Sequence, residues 1–164
     1  MLYSYDFLGG KNNSYVFATS LGIVYEVKFK PSGYINLFDE SISDFIFEFV
    51  IELSENNTGK NPPLDKKVST TIATIFKEFL TKHNYNIALY ICDSSDGRQE
   101  LRQKKFNEWY DKYNDATFAK MNEVLFDSKG NRFLITMILQ NKNPRRLEII
   151  DAFLKLADEN NNEK

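Results

Sequence analysis

Regular alternation of large apolar residues over residues 45–53 constrains the fold of this chain more than any other feature. Every second residue of the segment is large and apolar, in the series Phe45, Phe47, Phe49, Ile51 and Leu53. Glu48 and Glu52 fall between them. Because successive side chains of a strand point to opposite faces, the segment predicts a strand with one apolar face. Such a face needs another layer packed on it.

The next two segments predict that layer and the strand that follows it. Asp65 suits the N-cap of a helix that runs to about His83, and apolar residues recur along it at spacings of three and four: Val68, Ile72, Ile75, Phe76, Phe79 and Leu80. Residues 86–92 predict a buried strand. A single helical crossover makes neighbouring strands parallel, so we expect strands 45–53 and 86–92 to be parallel. The predicted core includes Phe47, Phe49, Phe76, Phe79 and Trp109.

The remaining segments place this unit in a larger sheet. Short strands are predicted at residues 3–7, 15–19 and 23–30, a second helix at 98–113, and a hairpin at 118–126 and 132–139. A last helix is predicted with Asn143 as its cap, Pro144 at its first position and an apolar face of Leu147, Ile150, Leu154 and Ala157. The sequence therefore predicts one mixed α/β domain of the α+β class over residues 1–157, with a mostly antiparallel central sheet, and a frayed polar tail over residues 158–164.

Two resemblances follow from these segments. The order strand, helix, parallel strand, helix and hairpin over residues 45–139 resembles the second half of the GNAT acyltransferase fold. That resemblance implies a glycine-rich loop whose amides hold the pyrophosphate of coenzyme A. In the matching residues 59–68, Pro62 and Pro63 remove amide donors and Asp65 adds a carboxylate, so we expect no cofactor and no acetyl-CoA binding. Residues 90–109 also resemble a small, uncharacterised bacterial family of unknown function, which implies no known activity.

The candidate site is the turn between the 86–92 strand and the helix after it. Clefts form beyond the carboxyl ends of strands in open α/β sheets. Arg98, Arg102 and Lys105 follow at spacings of four and three, where they oppose the helix dipole. Asp93 and Asp96 can neutralise only part of this charge. These five residues are the predicted site for an acidic ligand or partner; the alternative is local ion pairing without a ligand.

Other chemistry finds little support in the sequence. Cys92 and His83 are the only residues of their types, and the strand between them separates them by roughly 20 Å, so no catalytic residue is assigned. Asp93 and Asp96 lack a third metal ligand at usable spacing, so no metal is expected. A second basic cluster, Lys142, Arg145 and Arg146, could join the first in a nucleic-acid surface, although the net charge of −2 opposes general attraction to nucleic acid.

These observations predict a non-catalytic binding or regulatory protein whose basic helix start binds a protein partner or a small anionic ligand. A divergent GNAT-like acyltransferase is the first alternative, and a nucleic-acid accessory protein is the second. The N-terminal residues lack the pattern of a signal peptide and a single Cys fits a reducing compartment, so we expect a cytoplasmic protein without a membrane partner. The sequence does not determine the oligomeric state.

Overall fold

The computed structural model describes residues 1–32, 39–92 and 96–162. The elements in these residues are, in chain order, β1 (Tyr5–Gly9), β2 (Ser14–Ala18), β3 (Val24–Pro31), α1 (Glu40–Ser43), β4 (Ile46–Glu55), α2 (Lys66–Leu80), β5 (Ile87–Cys92), α3 (Gln99–Tyr113), β6 (Phe118–Phe126), β7 (Arg132–Gln140) and α4 (Arg146–Asn162). The strands form one seven-stranded sheet in the order β1-β2-β3-β4-β5-β7-β6. All neighbouring strands are antiparallel except β4 and β5. The predicted α+β fold with a mostly antiparallel sheet is confirmed.

The parallel pair β4 and β5 opens along its length. Its three residue pairs run from Ile46 opposite Ile87 to Glu48 opposite Leu89. Beyond them β4 continues to Glu55 beside β3, and β5 continues to Cys92 beside β7. The predicted parallel arrangement is therefore confirmed, and the carboxyl ends of the two strands are left apart. This opening positions the candidate site.

The sheet has a separate hydrophobic core on each face. On one face, α2 contributes Ile72, Ile75, Phe79 and Leu80 to an aromatic-rich cluster with the strands. The Phe79 ring stacks on Phe29 with 3.9 Å between centroids. Phe49 and Phe79 are buried as predicted, whereas the other three predicted core residues, Phe47, Phe76 and Trp109, are only partly buried against that cluster.

The helix α2 forms where the sequence predicts it. Its first turn is capped by Asp65, whose carboxylate accepts a hydrogen bond from the Lys67 amide at 2.8 Å. The same carboxylate accepts from the Tyr3 hydroxyl at 2.6 Å. The cap therefore ties the start of α2 to the segment just before β1, as well as satisfying an amide that the helix itself cannot pair.

The core-facing side of α4 matches the prediction only in part: Ala157 is buried and Ile150 is partly buried, as expected. Leu147 and Leu154, predicted to face the core, are 74% and 42% exposed, whereas Ile149 and Phe153 are each 1% exposed. Apolar residues surround this helix, so periodicity alone allows more than one stripe, and the sheet buries the one that contains Phe153. The helix also begins at Arg146 rather than Pro144, after a turn in which Asn143 Oδ1 accepts from the Arg145 amide at 2.9 Å.

The end of α4 and the short helix α1 add two further differences. The helix α4 continues through residue 158 to Asn162, into the segment predicted to be a frayed tail. There Asn160 bonds to both the amide and the carbonyl of Phe126, at 2.8 and 3.0 Å. The helix α1 was not predicted, because its four residues are too few to show an apolar period. No helix in the described part of the chain is long and apolar enough to cross a membrane.

Candidate functional site

A cleft of about 670 Å³ lies at the opening between β4 and β5. Ile51 on β4 and Tyr90 on β5 contribute its strand walls, and α2 and α3 flank it. The loop before α2 brings Pro62 and Pro63 to its edge. Its volume falls within the range of about 300–1,000 Å³ that small-molecule sites occupy. We call it the cationic cleft, because several cationic residues line it.

Four cationic side chains line the cleft: Lys66 from α2, and Arg102, Lys105 and Lys112 from α3. Asp65 is the only carboxylate among the described lining residues. That carboxylate is already engaged, because the Tyr3 hydroxyl and the Lys67 amide donate to it. The bond from Tyr3, together with that amide, lowers the pKa of Asp65. The cleft therefore carries a surplus of positive charge at neutral pH.

The structure brings two of the five predicted site residues to the cleft, Arg102 and Lys105. Asp96 forms an ion pair with Arg102 and accepts a hydrogen bond from the Arg98 amide at 3.0 Å. The hydrogen bond from the Arg98 amide, together with the hydrogen bond and the charge of Arg102, lowers the pKa of the Asp96 carboxyl group. Arg98 is exposed at the N-cap of α3, which has no side-chain cap. Asp93 lies outside the described residues.

The side chain of Arg102 is 40% exposed, so it is not the buried tie between helix and sheet that a structural role would require. A different pair links this helix to the sheet at the surface: Arg132 on β7 and Glu100 on α3 lie 2.7 Å apart, and both side chains are exposed. Asp96 engages one amino group of Arg102, whereas a guanidinium has five N–H donors. Arg102 can therefore pair with Asp96 and still donate to a ligand in the cleft.

Aromatic rings form the apolar part of the cleft wall. The Tyr90 ring stacks on Phe106 with 4.3 Å between centroids, and burial raises the pKa of the Tyr90 hydroxyl. The Lys105 ammonium lies 5.1 Å from the centroid of the Trp109 ring, which is a cation–π distance. The cleft thus presents cations beside flat apolar surfaces, an arrangement that suits an anion with an apolar part.

Three of the lining residues that sequence reasoning did not assign to the site show why they were missed. Lys112 lies seven residues after Lys105, on the same side of α3, and helical spacing could have found it. Trp109 was assigned to the core by the same spacing, but it lines the cleft. Lys66 comes from a different element, and only the packing of α2 beside α3 brings it close.

The second basic cluster does not join the first. Arg145 forms ion pairs with Asp39 at 2.7 Å and with Glu148 at 2.5 Å. It precedes α4, whose buried residues belong to the core on the opposite face of the sheet from α3. Arg98 and Arg102 therefore do not form one surface with Arg145 and Arg146, which is what the nucleic-acid alternative called for.

Cys92 and His83 also stay apart. Cys92 is buried at the end of β5, whereas His83 is exposed ahead of the start of that strand. Among the residues that the structure describes, no group of three or more His, Cys, Asp or Glu side chains is arranged to hold a metal ion.

Fold and site together define a class of protein: an α+β domain with a positively charged cleft where two parallel strands open. Residues 64–155, more than half of the chain, match the model of DUF6169, a family of unknown function. The chain belongs to that family. No curated protein and no solved structure gives a significant match to this chain. The resemblance to the GNAT fold therefore stays a prediction.

Proposed function

We propose that this protein is a non-catalytic binding protein that holds a small anionic ligand in the cationic cleft. The single observation that carries the proposal is the charge of the lining: four cations accompany one carboxylate, Asp65, and Asp96 offsets the charge of Arg102 alone among the four in the described ion pairs. A cleft lined by more cations than anions attracts an anion. Walls of low dielectric strengthen the field that such a cleft presents to an anion.

Arg102 and Lys105 are the residues expected to contact the charged group. Arg102 offers a planar set of donors that matches a carboxylate or a phosphate, and Lys105 adds a point charge one helical turn away. The concave shape of the site favours a small molecule over the flat surface of a protein partner. Tyr90 and Trp109 supply apolar surface beside the charges.

A divergent acyltransferase is the second candidate, and one observation favours it. An enzyme of the GNAT type would need an open space between β4 and β5, and the cleft lies in that position. Against it, Pro62 and Pro63 lie at the edge of the cleft, where the resemblance implies amide donors. The deep end of the opening is also occupied by aromatic rings, with Phe49 and Tyr90 centroids 6.1 Å apart.

Calorimetric titration with phenylphosphate, which combines an anion with a ring, tests the proposal. We compare the parent with the double variant Arg102→Gln/Lys105→Gln and with a control of equal charge change outside the cleft lining, Lys104→Gln/Lys142→Gln. Exposed ion pairs contribute little to folding stability, so both variants should fold. The cleft variant should bind at least about 10-fold more weakly, a loss of roughly 1.4 kcal/mol, and the control should stay within about twofold of the parent.

Equal affinities in all three proteins would contradict the proposal. In a parallel titration with acetyl-CoA, we expect no dissociation constant below about 100 μM, an affinity that would require specific phosphate contacts. Tighter binding of acetyl-CoA than of phenylphosphate would favour the acyltransferase candidate instead.

A further inference from the structure

A second cavity adjoins the cationic cleft and has no role in the function proposed above. It has a volume of about 380 Å³ and lies between α2 and α3. Ile72, Phe106 and Trp109 line both this cavity and the cleft. The two spaces are therefore neighbours, with these three residues between them. We call this second cavity the interhelix groove.

The interhelix groove is apolar along its floor and closed by polar contacts at its boundaries. Its floor is made by Phe49, Phe76, Phe118 and Ile138. Over the end nearest the cleft, the Tyr113 hydroxyl on α3 lies 2.9 Å from Ser69 Oγ and 3.1 Å from Thr70 Oγ1 on α2. Near the other end, Lys77 forms an ion pair with Asp115 at 2.5 Å.

The dimensions of the groove suit an extended chain. Its α2 wall runs from Thr70 to Thr81, which is about 16 Å along a helix axis. The groove presents apolar side chains to water. An apolar occupant that displaces this water is favoured by the hydrophobic effect.

We propose that the interhelix groove holds the apolar chain of the anion whose charged end lies in the cationic cleft. The ligand is then a single-chain amphipathic anion, of the type of a medium-chain fatty carboxylate. This inference rests on the proposed function, because the charged end needs Arg102 and Lys105. Charge at the cleft and apolar surface in the groove fix the direction of the ligand: its head faces the cations, and its tail runs along α2 past Trp109.

Trp109 stands at the junction between the two spaces. Its side chain is partly buried, and the ammonium of Lys105 lies 5.1 Å from its ring centroid. A chain that enters the groove must pass this ring and the adjacent Phe106. Since Trp109 is the only Trp in the chain, its fluorescence reports entry of a chain without added labels.

The test is a chain-length series of carboxylates, from butyrate through hexanoate and octanoate to decanoate, with binding followed by Trp109 fluorescence and by calorimetry. Each methylene that enters apolar surroundings should tighten the dissociation constant about fourfold.

Ala73, which lines the groove but not the cleft, is the position to fill. Ala73→Phe should remove the dependence on chain length and leave butyrate affinity within about twofold, and Ala73→Leu is the smaller substitution if the first fails to fold. Ala152→Phe on α4 is the matched control and should retain the full series.

The outcomes separate this inference from the function on which it rests. If carboxylates of every length bind equally and depend on Arg102 and Lys105, the groove inference is wrong and the cleft proposal stands. If neither phenylphosphate nor decanoate binds, both are wrong. Decanoate affinity that is unchanged in Ala73→Phe and Ala73→Leu would also overturn the inference. Decanol, which has the chain without the charge, should bind at least about 10-fold more weakly than decanoate.

Discussion

The ion pairs of two arginines differ in what they leave available for binding. Arg145 donates to both Asp39 and Glu148 and joins the turn before α4 to the residue that caps α1. Arg102 pairs with Asp96 in its own turn and lines a cleft. The same residue type therefore serves tertiary structure at one position and lines a cleft at the other.

The Asp39 pair predicts a component of acid sensitivity. The hydrogen bond from Arg145, with those from Ser41, lowers the pKa of Asp39 from 3.8 to about 2. Because the folded-state pKa lies below the unfolded one, this carboxylate stabilises the fold above pH 3.8, and that stabilisation is lost as the pH falls towards 2. Urea unfolding at pH 4, 3 and 2 should therefore show a smaller loss of unfolding free energy in Asp39→Asn than in the parent. If the unfolding free energies of the two proteins fall equally with pH, the ion pair of Asp39 does not contribute to acid sensitivity.

At the scale of elements, the helices and strands that the sequence predicted correctly are those that depend on residues close together in the chain. The helix α2 was predictable because Asp65 caps it and one apolar stripe runs along it, and the parallel pair followed from a single crossover. The predicted face of α4 was right for Ala157 but wrong for Leu147 and Leu154, because apolar residues occur on several sides of that helix. Spacing along α3 predicted that Arg102 and Lys105 share one side of the helix, and both line the cationic cleft. Lys66 could not be found because its place in the cleft depends on tertiary packing.

The corrected face of α4 gives a direct test of element packing. Phe153→Ala should lower the free energy of unfolding by about 3–5 kcal/mol, because the ring is almost fully buried and its loss leaves a cavity. Leu147→Ala should change it by no more than about 0.5 kcal/mol, because Leu147 is mostly exposed. Urea unfolding of both variants measures this contrast. A larger loss of unfolding free energy in Leu147→Ala than in Phe153→Ala would show that the side of α4 containing Leu147 faces the core.

At the scale of the whole molecule, the cationic cleft and the interhelix groove lie on the same face of the sheet. The face under α4 is packed around Ile149 and Phe153. The face under α2 and α3 retains the cationic cleft and the interhelix groove. With a net charge of −2 on the whole chain, the gathering of four cations in one cleft is a local feature. Binding there should weaken as salt screens the charges.

The central claim is that an anion binds in the cationic cleft through Arg102 and Lys105. The most direct measurement is a ¹H–¹⁵N spectrum of the protein during titration with phenylphosphate. The single Trp indole N–H signal, from Trp109, and the side-chain N–H signal of Arg102 should shift together and saturate in the parent. The Trp109 signal should stay unchanged at the same concentrations in Arg102→Gln/Lys105→Gln. An equal, saturable Trp109 shift in that variant, or no shift in the parent, would contradict the account.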